Sequence, residues 1–105
     1  MTAGTRIKIC GINSPESLEA AISARASHVG FNFFPPSPRF APPELASSLA
    51  RQAAGRVVRV GVFVDADDAF LAETLAAAPL DALQFHGSET AERVVQVKAR
   101  FGRID

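Results

Sequence analysis

Apolar and polar residues alternate with period two over short stretches of the chain, and between them apolar residues recur every three to four positions. The first alternation predicts a strand over residues 6–10, with Ile7 and Ile9 on one face and Lys8 and Cys10 on the other. Gly11 breaks it. Asn13 or Ser14 is placed to cap a helix whose first turn takes Pro15 and Glu16, and Leu18, Ile22 and Ala26 form its apolar stripe. A second strand over residues 27–34 sets Val29, Phe31 and Phe33 on one face and Gly30 and Asn32 on the other. The next helix opens at Glu44, buries Leu45 and Leu49, and ends near Gly55. The third strand, 56–64, is expected to point Val58, Val60, Val62 and Val64 one way and Arg59, Gly61 and Phe63 the other. Asp65 is expected to cap the third helix, with Asp68 in its first turn and Pro79 at its end. In the fourth strand, 81–86, Leu83 and Phe85 alternate with Gln84 and His86. Ser88 is expected to cap a fourth helix running to about Phe101, and residues 102–105 read as the opening of a fifth strand.

Strand and helix thus alternate four times, the order that right-handed crossovers in a parallel sheet require. No Gly/Ser-rich linker interrupts residues 1–105, so they form a single unit. One strand face is purely apolar and suits a cover of amphipathic helices. The other is mixed: Lys8, Cys10, Gly30, Asn32, Arg59, Gly61, Phe63, Gln84 and His86. A doubly wound sheet would be apolar on both faces. That also counts against a small flavodoxin-like sheet binding a phosphorylated ligand. A polar second face is expected where it lines a barrel interior, so the expected class is α/β, a parallel (βα)4 half of a TIM (β/α)8 barrel. Four strands cannot close such a barrel, and a missing C-terminal half-barrel or a self-associated copy is expected to complete it.

Composition narrows the function classes. Eleven basic and eleven acidic residues give a formal net charge of zero, which argues against a nucleic-acid or polybasic membrane surface. No apolar run is long enough to span a bilayer, and the first residues lack a signal-peptide apolar stretch. The single cysteine cannot make an internal disulfide, which fits a reducing, cytoplasmic setting.

Candidate chemistry gathers at one end of the sheet. Cys10 stands at the carboxyl end of the first strand, beside the turn into a helix, where parallel α/β proteins place reactive groups. Five of the seven prolines lie between residues 35 and 43 and stiffen the loop that carries Arg39. Gln84 and His86 arrive at the end of the fourth strand. Free cysteine is otherwise a small buried apolar side chain, and an exposed arginine otherwise a solvated one. His86 reads equally well as a hydrogen-bonded strand-end histidine.

Four segments carry a family resemblance: KICG at 8–11, GFNFFPPSPRF at 30–40, RVGVFV at 59–64 and LQFHG at 83–87. Together they resemble the phosphoribosylanthranilate isomerases of tryptophan biosynthesis. The resemblance implies a (β/α)8 barrel and an Amadori rearrangement of a phosphorylated aminoaldose to an aminoketose, with no metal and no organic cofactor. It implies Cys10 as the general base and Arg39 as the contact to the anthranilate carboxylate, with Gln84 and His86 lining the pocket. Lys8, on the same strand face, is a candidate for the positive charge that helps a thiol act as a base. The family's general acid and phosphate loops belong to the second half of the barrel, so the 105-residue chain alone is expected to be inactive. The alternative is a non-catalytic half-barrel that self-associates or pairs with a second chain.

Overall fold

A computed structural model describes residues 7–102. Four strands, β1 (Lys8–Ile9), β2 (His28–Asn32), β3 (Val58–Phe63) and β4 (Ala82–Phe85), alternate with four helices, α1 (Pro15–Ser23), α2 (Pro43–Ala53), α3 (Asp68–Ala77) and α4 (Ala91–Phe101). The strands form one parallel sheet in the order β1-β2-β3-β4. Of the proposed fifth strand only Gly102 falls within the described residues. It closes α4 in the left-handed conformation at φ 69°, and the remainder lies outside them.

Local chemistry starts each helix. The Ser14 hydroxyl accepts the Ser17 N–H at 3.0 Å while Ser17 Oγ receives the Ser14 N–H, a reciprocal cap for α1 with Pro15 at its first position. The expected caps of α3 and α4 each shift two residues along the chain. Asp67, not Asp65, accepts the Phe70 N–H at 2.8 Å, and Thr90, not Ser88, accepts the Arg93 N–H at 3.1 Å. The reason lies in the preceding loops, where Asp65 and Ser88 are engaged with each other.

The main core lies between the helices and one face of the sheet. Leu18, Leu49, Leu71 and Val97 from the helices meet Val29, Phe31, Phe33, Phe63 and Leu83 from the strands, all of them buried. Phe63 stacks on Phe33 at 5.3 Å between ring centroids and meets Phe70 edge-on at 6.2 Å. The opposite, open face carries Lys8 and Cys10 from the first strand segment, Gly30 and Asn32 from β2, and Gln84 from β4, as the alternation predicts.

β3 is the exception, because its faces are inverted relative to the expectation. Its register sets Val60 beside Gly30 and Ala82, and Val62 beside Asn32 and Gln84, so the valines belong to the open face. Arg59, Gly61 and Phe63 instead lie in register with Val29, Phe31 and Phe85 under the helices. Apart from Arg59 near its start, both faces of this interior strand are apolar, so alternation alone could not orient it, and branched valines suit a barrel interior. Arg59 is tolerated on the helix side because it stands near the amino end of the strand. There it donates to both carboxylate oxygens of Asp81 at 3.0 Å and to the Ala50 carbonyl in α2 at 3.2 Å. Gly61 leaves room for its neighbours: an added Cβ would lie 2.6 Å from Leu80 Cδ1 and 2.9 Å from the Phe63 ring.

Candidate active site

Cys10 follows β1 directly and its side chain is exposed. Its chain continues across the top of the sheet, where the Ile12 N–H donates to the Gly30 carbonyl at 3.1 Å. Gly30 is the residue beneath the thiol. A Cβ built there would lie 3.2 Å from Cys10 Sγ and 3.5 Å from Lys8 Cε, so both side chains lie over the same bare stretch of backbone. The sequence placed Gly30 on this face but gave no sign that its missing side chain makes the space.

Arg39 reaches the same place from the proline loop. Asn32 closes that loop at both ends: its side-chain oxygen accepts the Phe34 N–H at 2.8 Å and its carbonyl accepts the Ala41 N–H at 2.8 Å. Between those ends the Ser37 N–H donates to the Phe34 carbonyl at 2.9 Å, and the Arg39 N–H donates to Ser37 Oγ at 3.1 Å. The loop therefore returns to the strand it left, and Arg39 is held two residues before the return. Its side chain lies across Gly11, the residue after Cys10. A Cβ on Gly11 would collide with Arg39 Cδ and stand 3.2 Å from Nη1, and Gly11 has φ 78°. Cys10 and Lys8 thus share the space over Gly30, and Arg39 lies over the next residue of the chain, Gly11. The ion pairs among the described residues join other groups, and neither Lys8 nor Arg39 takes part in one.

Gln84 and His86 stand at the other edge of the sheet, since β1 and β4 are its two outer strands. Gln84 lies on the open face beside Val62, and its Oε1 is buried with no hydrogen-bond partner among the described residues. His86 is exposed, and its backbone N–H donates to the Phe63 carbonyl at 2.9 Å. The fold therefore brings Arg39 to Gly11, next in the chain to Cys10, and leaves Gln84 and His86 across the width of the sheet from them.

The loops after β3 and β4 are tied by a pair of carboxylates that pattern reading missed. Glu89 accepts the Asp65 N–H and the Gly87 N–H, each at 2.7 Å, and Asp65 accepts the Ser88 N–H at 2.7 Å. Asp65 adopts φ 50°, a conformation that aspartate tolerates better than most residues. This tie borders a hollow lined by Phe33, Phe34, Pro35, Val64 and Phe70 at the carboxyl end of β2 and β3. Among the described residues no group of three His, Cys, Asp or Glu side chains is placed to hold a metal ion.

Four parallel βα units with one face under helices and one face open define half of a (β/α)8 barrel. Solved structures show the same architecture. TrpF from Jonesia denitrificans superposes with a TM-score of 0.88 at 29% identity, over 96% of this chain and 49% of that one. Phosphoribosyl anthranilate isomerase from Thermotoga maritima gives 0.81 at 36% identity, over 91% of this chain and 47% of that one. The profile of the family described as N-(5'-phosphoribosyl)anthranilate (PRA) isomerase matches residues 7–105. The chain belongs to the N-(5'-phosphoribosyl)anthranilate isomerase family. The protein of that name from Rhizobium meliloti (strain 1021) is 51% identical over 98 residues, which are 93% of this chain and 46% of the relative. The chain thus spans about half the length of the curated relatives it matches. No helix among the described residues is long and apolar enough to cross a membrane.

Proposed function

We propose that this chain forms the base-bearing half of an N-(5'-phosphoribosyl)anthranilate isomerase, acting in tryptophan biosynthesis in the cytoplasm. The observation that carries the reading is Arg39 lying across Gly11, the residue that follows the exposed Cys10 at the carboxyl end of β1. A solved isomerase of the family, 36% identical over 91% of this chain, is in complex with reduced 1-(o-carboxyphenylamino)-1-deoxyribulose 5-phosphate. That ligand carries an aromatic carboxylate and a phosphate, and an arginine fork beside the thiol suits the carboxylate.

In this reading a general acid protonates the ribose ring oxygen of the aminoaldose and opens the ring to a Schiff base. Cys10, as thiolate, removes the proton from the adjacent carbon, and the resulting enolamine tautomerises to the ketone. Arg39 holds the carboxylate so that this carbon faces the sulfur. Gln84 and His86 line the far side of the pocket. The acid and the phosphate loops are assigned to the second four βα units, which complete the barrel across the open face. No metal or organic cofactor takes part. The buried, unpaired Oε1 of Gln84 favours a barrel completed across this face, because a donor from the other half or from substrate would satisfy it.

Replacing Cys10 by alanine in the complete isomerase should lower turnover by about 10²–10⁴-fold with the fold intact. Near-normal turnover would remove Cys10 from the mechanism. A second reading, a non-catalytic half-barrel pairing with a copy of itself, is favoured by exposed apolar side chains. Ile7 next to β1 and Val95 on α4 are 47% and 67% exposed, on the elements that border the two open sheet edges.

A further inference from the structure

Two cationic side chains come from different elements to the backbone around Cys10. Lys8 comes from β1 and shares with Cys10 the space over Gly30, where Lys8 Cε and Cys10 Sγ lie 3.5 and 3.2 Å from one point. Arg39 comes from the proline loop and lies across Gly11, the next residue in the chain. Gly30 lies beside Cys10 and has Val60 as its neighbour in register, so neither β2 nor β3 adds a charge at that point. Gly11 is central to this arrangement, since any side chain there would occupy the path of the arginine stem.

We propose that Gly11 is a positioning residue: its bare, left-handed backbone is the seat over which Arg39 reaches Cys10, opposite Lys8, so that the thiol works between two cations. The proposal rests on Cys10 being the working base, and it gives that base a field that attracts anions. A unit charge about 6 Å away through water is worth a factor of about three in local anion concentration, so two such charges together give up to about tenfold.

The test uses the chain as it stands, because Cys10 is its only cysteine and alkylation is read without ambiguity by intact mass. Rates with anionic iodoacetate and neutral iodoacetamide are measured at one pH, and their ratio is normalised to that of glutathione. The ratio cancels the thiol's own ionisation and reports the charge beside it. The folded chain should prefer iodoacetate by about three- to tenfold over glutathione, and the preference should fade at high salt. Arg39→Met and Lys8→Met should each lower the ratio about threefold. Gly11→Asn keeps a residue that tolerates positive φ but fills the seat. It should lower the ratio as far as Arg39→Met does, and adding Arg39→Met to it should change nothing more. A ratio equal to glutathione's, or a folded Gly11→Asn with the wild-type ratio, overturns the proposal. Should Gly11→Asn fail to fold, the Gly11 amide resonance decides: Arg39→Met must shift it, and an unmoved resonance is equally fatal. None of these readouts needs turnover. A Cys10→Ala isomerase with normal turnover would defeat the catalytic reading while leaving the charge arrangement standing.

Discussion

Cys10 owes its setting to residues that offer no side chain. Gly30 leaves the space in which the thiol and the Lys8 stem lie together, and Gly11 leaves the path for Arg39. Asn32 shows the opposite economy, one side chain and one carbonyl closing the whole proline loop. Gly61 has the same logic on the covered face. Its replacement by alanine would press a methyl group into Leu80 and Phe63, and overpacking of this kind costs about 1–3 kcal/mol. Urea unfolding should show Gly61→Ala destabilised by about that amount. An unchanged midpoint would restore the opposite orientation of β3, with Gly61 on the open face. Cys10, Arg39, Gln84 and His86 were legible as candidates from their strand ends and motifs. Gly30, Asn32, Asp65 and Glu89 were not, because a glycine's empty space and a carboxylate bonded to a distant backbone leave no local pattern.

At the scale of elements, β1, β2, β4 and all four helices follow from period and capping chemistry, with ends shifted by one to a few residues. The pairing of α1 with the loop before β3 is electrostatic as well. Arg56 donates to both oxygens of Glu19 at 2.9 Å, and this hydrogen-bonded pairing holds the Glu19 carboxyl below its ordinary range while raising the Arg56 guanidinium. A carboxylate depressed in the folded chain stabilises it above the unfolded pKa and loses that contribution as pH falls through the folded one. Glu19→Gln should therefore lower the urea midpoint slightly near neutral pH, and the gap to the wild type should close on acidification through the carboxylate range. A gap that persists in acid would mean that the side chain acts through packing rather than charge. The effect is small because both partners are about half exposed, at 44% and 50%.

For the whole molecule, the decisive feature is the asymmetry of the sheet. One face is sealed by helices, while the other carries Lys8, Cys10, Asn32 and Gln84 with no helix over it among the described residues. Among the described residues β1 and β4 each have a neighbouring strand on one side only, and such edges are templates for further strands. Val58 on the open face, with Ile7 and Val95 at the borders, leaves large apolar side chains in water. The isolated chain should accordingly associate as its concentration rises, with a mass above one copy by size exclusion with light scattering. A well-folded, strictly monomeric species at all concentrations would count against an unfinished barrel. A complementing second half added in equal amount should displace the self-associated form and be the condition for turnover.

The sequence by itself determined the number, order and kind of elements, the parallel sheet, and the gathering of a thiol and an arginine at one end. These are consequences of period, capping and strand-end position, all carried by neighbouring residues. Tertiary structure alone decided which face of β3 looks outward, since a strand apolar on both sides apart from Arg59 is oriented by its register with β2 and by Phe63 stacking on Phe33. It also decided that Arg39 arrives over Gly11 whereas Gln84 and His86 lie on the far edge. Distances between strands depend on the order of the sheet and on empty space, and neither is written in any local stretch of residues.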